Sequence, residues 1–350
     1  MKKTLYILAS AALLTACSSN DTLKDIDTQE SAIAFDQAIN NTTRANIANN
    51  SVLAQEGGFI VYGYKKATSA ANWNTYQTIF NGVNVKSSNG TSWTYDNLRF
   101  WDKTATYNFY AIAPYSPTDG TYSLVDNSAP AALKFKITGA KSAKSTSSDD
   151  FLIDRNGATG IDGDYTGTHA TVDFDFHHIM AKIEFKLKST LTSGTITVTR
   201  LKMTGWNSGL GNFTQTLTAT PTELANTEWT IQTAGTGDIT LVGSGASQSS
   251  VQLTCSASAT ATAVTDWYIM VPQNIPASTL TFTVDFTYTD GSYTETYENQ
   301  VATLTDAQVW GTDSHTTYTL DIKPQAIVFD VASICGFDVN GGQTDPVVVQ

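Results

Sequence analysis

The sequence predicts an all-β protein, and three observations carry that prediction. The 350 residues include 55 threonines and 15 tyrosines, residues that suit a pleated, half-buried surface. Short runs of alternating apolar and polar residues recur at intervals of roughly 8–12 residues, with turn residues between them. No helical periodicity is sustained beyond about ten residues. Hydrophobic residues make up 41% of the chain, enough for a packed core, while charged residues are only 15%. At roughly 150 residues per domain, the length allows two domains or one large β-domain.

The first element is a leader. Lys2 and Lys3 form a basic start, and Leu5 to Leu14 form an apolar stretch of signal-peptide length, too short to span as an anchor. Leu14-Thr15-Ala16-Cys17 resembles a bacterial lipobox, in which the cysteine thiol takes the lipid. Acyl chains contribute about 0.8 kcal/mol per buried CH₂, so a lipidated Cys17 would hold the chain to a membrane without a span. Ser18 to Asp27 is polar and acidic, as a tether should be. Losing Lys2 and Lys3 with the leader takes the formal charge from −12 to −14. That sign repels nucleic acid and anionic membrane surfaces.

Ile33, Phe35 and Ile39 alternate with Ala34, Asp36 and Ala38, the period of a half-buried strand, interrupted by Gln37. The polar stretch Asn40 to Ala45 contains one basic residue, Arg44, and reads as a loop open to a trypsin-like protease. Strands follow at Gly58 to Tyr64, Tyr76 to Phe80, Val83 to Val85, Trp93 to Asn97 and Leu98 to Trp101. The aromatic run Tyr107 to Ala113 stops at Pro114. Leu133 to Ile137 and Phe151 to Ile153 are strands separated by a loop at 139–150, and the glycine-rich stretch 157–167 marks an internal linker. Val172 to Leu187 alternates on both sides of His177-His178 and pairs with Thr195 to Met203 as a hairpin. Further strands end in two runs flanking Asp290-Gly291, a strong hairpin turn, and in Tyr318 to Ile322 and Ile327 to Val331.

Side by side, these segments resemble the fimbrillin family of lipoprotein pilus subunits, the type V pili, including the minor-fimbrium-like branch. The resemblance rests on an ordered set: the lipobox, the early strand with Asn-Asn-Thr-Thr-Arg44-Ala45 after it, Phe59 to Tyr64, Arg99-Phe100-Trp101 leading to Tyr107 to Pro114, Phe176 to Ile183, Tyr268 to Gln273, and Trp310-Gly311 with Tyr318 to Ile322. It implies two tandem transthyretin-like β-sandwich domains. The chain would divide into a signal peptide (1–16), a lipidated tether with a releasable first strand (17–44), an N-terminal sandwich (45–168), a C-terminal sandwich (169–335) and a tail (336–350). It also implies assembly by strand exchange: a maturation protease cuts between Arg44 and Ala45, the first strand leaves, and another subunit donates a strand to the vacated groove. The partners implied are other fimbrial subunits, that protease, and the outer membrane through the lipid, with a host or bacterial adhesion ligand left unnamed.

On this reading Ile33, Phe35 and Ile39 plug the groove. Val347, Val348 and Val349, after the Gly341-Gly342 hinge, are candidate donor residues. With Cys17 lipidated, Cys255 and Cys335 remain as a candidate disulfide. The alternative reading is a surface adhesin or glycan-binding lipoprotein of the same fold that never polymerises, with Trp73, Trp93 and Trp206 as candidate stacking platforms. No catalytic residue, cofactor or metal site is expected. The four histidines lack a zinc-binding spacing, and no nucleophile elbow or phosphate-binding loop occurs. Asp154, Asn156, Asp162 and Asp164 cluster but fail the order of a calcium loop, so loop polarity accounts for them. His177 and His178 point to opposite faces of a strand, which places one of them in a core or interface.

Overall fold

The computed structural model describes residues 31–39, 47, 49–118, 120–126, 133–144, 149–154, 158–164, 171–217, 228–232, 235–324, 326–329 and 333–336. Their regular structure is almost entirely strand. The helix α1 (Asn50–Gln55) is capped by Asn49, whose side chain accepts from the backbone N–H groups of Ser51 and Val52, and it buries Leu53. Gly57 and Gly58, at φ +84° and +89°, then turn the chain into the first long sheet; a Cβ on Gly58 would lie 2.0 Å from the Val85 carbonyl oxygen.

That sheet contains β1 (Phe35–Ile39), β2 (Phe59–Ala67), β3 (Gln77–Val85), β4 (Ala105–Ala113), β8 (Leu152–Asp154), β9 (Ala158–Asp162) and β10 (Val172–His178), in the order β1-β10-β8-β4-β2-β3 with β9 also on β4. A second sheet orders β14 (Trp229–Ile231), β13 (Gly211–Leu217), β6 (Leu133–Ala140) and β5 (Thr121–Asp126). The third runs β24 (Ala326–Phe329), β23 (Ser314–Lys323), β11 (Ala181–Lys188), β18 (Tyr268–Met270) and β7 (Ala143–Lys144), with β17 (Thr262–Ala263) on β11 and β25 (Ser333–Gly336) on β23. The fourth runs β15 (Thr236–Val242), β12 (Thr195–Asn207), β20 (Thr281–Asp290) and β21 (Tyr293–Thr303), with β16 (Val251–Thr254) on β12. β19 (Gln273–Ile275) pairs with β22 (Gln308–Trp310).

Alternation along these strands builds three cores. One lies between the third and fourth sheets, where Phe185 stacks on Tyr318 and Trp206 packs on Trp310. A second lines one face of the first sheet with Phe35, Phe59, Phe80, Phe109 and Phe174 and is closed by Leu53, Tyr95 and Trp101. The third lies on the opposite face, where Tyr62, Tyr110 and Ile153 meet Phe135, Ile137, Phe213 and Trp229 of the second sheet and Ile269 of the third.

Strand pairing crosses the boundary expected at 168/169. β10 joins the first sheet rather than opening a separate sandwich, β6 pairs with β13, and β7 pairs with β18. Hydrophobic faces from both halves are thereby buried against each other. Three local expectations also change. The hairpin expected between Val172–Leu187 and Thr195–Met203 does not form: β11 pairs with β17, β18 and β23, and β12 with β15, β16 and β20 in another sheet. The glycine-rich stretch 157–167 supplies β9, and 93–101 forms no strands but two isolated bridges, Lys86 with Thr94 and Ala32 with Phe100. The Asp290-Gly291 hairpin forms as expected between β20 and β21.

Candidate functional site

The site is the groove that holds Ser31 to Ile39. The segment enters along the loop before β4: the Trp101 amide donates to the Ser31 carbonyl at 3.1 Å, and the Ile33 amide donates to Arg99 at 2.8 Å. The Tyr95 hydroxyl donates to the Ile33 carbonyl at 2.7 Å. The Val172 amide donates to Ala34 at 2.8 Å, and from Phe35 to Ile39 the chain runs parallel to β10 in the register Phe35 with Val172 through Ile39 with Phe176. β1 therefore stands at the end of its sheet, with one strand neighbour among the described residues.

Ile33, Phe35 and Ile39 are only 1%, 4% and 7% exposed, while Ala34 and Asp36 face solvent. Phe35 is the centre of the contact. Its ring lies edge-on to Phe80 at 5.1 Å and stacks on Phe174 at 5.7 Å, with Tyr95 at 5.5 Å and Phe109 at 5.7 Å. Burial pushes the Tyr95 hydroxyl above its ordinary pKa, with Arg99 partly opposing it, so it stays a neutral donor. Arg99 fixes the wall of the groove. Its guanidinium lies 4.5 Å over the Phe80 ring and donates to the carbonyls of Ile79, Asp96 and Asn97.

Three buried side chains at about 1.5–3 kcal/mol each contribute roughly 5–9 kcal/mol. Whole-domain stability is typically about 5–15 kcal/mol. An empty groove would therefore carry a cost comparable with the stability of a domain, before counting unpaired amides along β10.

The chain beyond residues 40–46 is held by a different anchor. Ile47 is buried, and its amide donates to Asp150 Oδ2 at 3.0 Å. Asp150 Oδ1 lies 2.8 Å from His178 Nδ1, and both side chains are wholly buried. His178 is thus the core histidine that alternation required. His177, on the opposite face of β10, approaches Asp175 at 3.2 Å.

Of the residues singled out from sequence, the structure brings Ile33, Phe35 and Ile39 together in this groove. Cys17, Arg44, Ala45, Val347, Val348 and Val349 lie outside the described residues. The candidate disulfide is not formed. Cys255 is a buried free thiol donating to Ser189 Oγ at 3.5 Å, just past the far end of β11. Cys335 registers with His315, which is opposite Lys182 near the start of β11. At about 3.3 Å per residue, the two cysteines sit some 20 Å apart along the strand, well beyond bridging distance.

The three candidate tryptophans serve packing: Trp206 lies against Trp310, Trp93 against Phe59, and Trp73 beneath Lys66. Among the described residues no group of three or more His, Cys, Asp or Glu is placed to hold a metal. Asp154 is buried and accepts from the Asp175 amide. Sequence reasoning missed Tyr95, Arg99 and Phe174 as parts of the groove. The alternation of Val172, Phe174 and Phe176 was visible, but nothing local pointed to β1 as its partner.

The sequence is 29% identical over 219 residues to the fimbrium subunit Fim1C of Phocaeicola vulgatus, a match covering 57% of this chain and 56% of that protein's own length. Among solved structures, it is similar to a protein assigned to cell adhesion from Bacteroides uniformis, with 16% identity, a TM-score of 0.44 and coverage of 87% of this chain and 99% of that one. It is also similar to the tip fimbrial protein Mfa3 from Porphyromonas gingivalis, with 9% identity, a TM-score of 0.34 and coverage of 81% and 96%. The family described as fimbrillin-like matches residues 43–335. The chain belongs to the fimbrillin-like family.

Proposed function

We propose that the protein is a non-catalytic subunit of a cell-surface fimbrium that supports adhesion and polymerises by strand replacement. The precursor carries lipid at Cys17 in the outer membrane. A protease cuts after Arg44, the segment holding Ile33, Phe35 and Ile39 leaves, and a strand from another subunit fills the groove. The tail with Val347, Val348 and Val349 is the candidate donor. Replacement restores both the buried apolar area and the β10 hydrogen bonds, which is the physics of β-augmentation. A head-to-tail contact of this kind does not close on itself, so it builds a filament.

One observation supports the reading most: Phe35 and Ile39 are buried on a strand that stands, among the described residues, at the edge of its sheet rather than in the centre, with Ile33 buried just before it. An edge strand can leave while β10, β8, β4, β2 and β3 keep their mutual pairing. The separate anchor at Ile47, Asp150 and His178 would hold the new terminus in place after a cut at Arg44. Immunogold electron microscopy of cells carrying wild type or Arg44→Ala tests this, with N-terminal sequencing of the surface form. Filaments starting at Ala45 are expected, with their loss in Arg44→Ala. A mature form that begins at Cys17 and still polymerises would overturn it.

A further inference from the structure

Among the described residues, four of the exposed large apolar side chains gather in two places. The first is the rim of the groove. Leu98 and Phe100, 61% and 47% exposed, flank Arg99 on the loop along which Ser31 to Ile33 enters. That loop is held rather than loose. Asn97 sits at φ +59°, and the Arg99 guanidinium, set over Phe80, donates to the carbonyls of Asp96 and Asn97. The second place is a hollow of about 480 Å³ in the other half of the chain. Gly205, Trp206, Asn207, Asn274, Ile275 and Pro276 form most of its lining, and none of the lining residues is charged. Val309, 47% exposed, stands opposite Asn274 across the β19–β22 pair. Leu210, 43% exposed, follows Asn207 on a turn that the Asn207 side chain pins by accepting from the amides of Gly209 and Gly235.

The knob and the hollow cannot meet within one chain. The knob adjoins the core on one face of the first sheet, the hollow adjoins the core between the third and fourth sheets, and the remaining core lies between those two. Between copies they can. β25 ends at Gly336, opposite Ser314, and Ser314 is five residues from Val309, so the tail leaves the fold within roughly 25 Å of the hollow's rim. Val347 follows Gly336 by eleven residues, a reach of at most about 40 Å. A tether that short draws the donor's body against the rim of the groove it fills. We propose that Leu98 and Phe100 of one copy seat in the Trp206 hollow of a second copy, the one whose tail occupies its groove. This rests on the strand-replacement reading above and adds a body-to-body contact that sets the angle between successive copies. A knob that meets a hollow elsewhere on the molecule is a heterologous contact, which propagates instead of closing. An uncharged pair also suits a chain of formal charge −12, whose copies otherwise repel.

The test uses the full chain cut after Arg44. Mixed copies carrying Leu98→Cys and Asn274→Cys should form a disulfide under mild oxidation, mapped to those two positions by mass spectrometry, whereas Leu98→Cys with Thr294→Cys, on an exposed strand elsewhere, should not. Leu98→Ser with Phe100→Ser should weaken association of copies at least about tenfold by native mass spectrometry, and Asn274→Trp, which fills the hollow, should do the same. Both variants should capture a synthetic peptide of residues 31–39 as the wild type does, which shows fold and groove intact. Association unchanged in either variant, or no Leu98–Asn274 link, overturns the contact. Loss of peptide capture in Leu98→Ser with Phe100→Ser assigns those side chains to the groove itself and overturns it too. Peptide capture by the wild type without association of copies overturns the contact alone. Capture of no peptide by the wild type overturns strand replacement and the contact with it.

Discussion

Phe35→Ala tests the groove most directly. The side chain is 4% exposed and has four aromatic rings within 5.7 Å. Truncating a buried phenylalanine costs about 3–5 kcal/mol. Each aromatic pair contributes about 0.5–1.5 kcal/mol of this beyond area burial. Because β1 has one strand neighbour among the described residues, the loss falls on the β1–β10 ladder rather than spreading through the sheet. At about 1.4 kcal/mol per factor of ten, opening of that ladder should become roughly a hundred- to several thousandfold more frequent. Amide hydrogen exchange of the full chain, followed on peptides spanning Val172–His178, reads this directly. Ala34→Ser, on the exposed side of the same segment, should stay within about 0.5 kcal/mol of wild type. Exchange at β10 that changes by less than about threefold in Phe35→Ala would refute the claim that this ring holds the strand.

Three further outcomes follow from other parts of the structure. Asp150→Ala removes the acceptor for the Ile47 amide and the partner of His178; at about 1–3 kcal/mol for each buried donor left unsatisfied, it should lower the urea midpoint of the intact chain, with Asp150→Asn milder. For Glu184, burial raises the carboxyl pKa, but hydrogen bonds from His315 and Lys182 outweigh it and hold the group at about 2 against an ordinary 4.5. Folding therefore favours the ionised form: its contribution is complete above pH 4.5 and is lost as pH falls toward 2, so Glu184→Gln should flatten the acid limb of a stability–pH curve in that window. Cys255 should resist alkylation in the native chain and react fully in denaturant, with the same mass under reducing and non-reducing conditions.

The strands were legible because their periodicity is local. Ile33, Phe35 and Ile39 announce a buried face within seven residues, Pro114 ends β4, and Asp290-Gly291 fixes a hairpin. The partners were not legible. β1 pairs with β10 more than 130 positions later, and no residue in either strand names the other. The same applies to β6 and β13, whose pairing overrides the glycine-rich stretch that suggested a linker. Tyr95 and Arg99 belong to a stretch whose alternation suggested strands. It is instead a loop wrapped around Phe80, and that choice depends on the ring beneath it. The polar character of His178 was readable, but its role in pinning Ile47 required seeing Asp150 between them.

The sheet shared by β6 and β13 bears on mechanics. Seven register positions from Gly211 with Ala140 to Leu217 with Leu133 stitch one half of the chain to the other. Beads on a flexible string would stretch by swinging apart at their joint. Here the halves cannot separate until that ladder tears, and pulling along its strands loads the whole row at once instead of unzipping it one bond after another. A thread made from such units would be stiff and would yield abruptly.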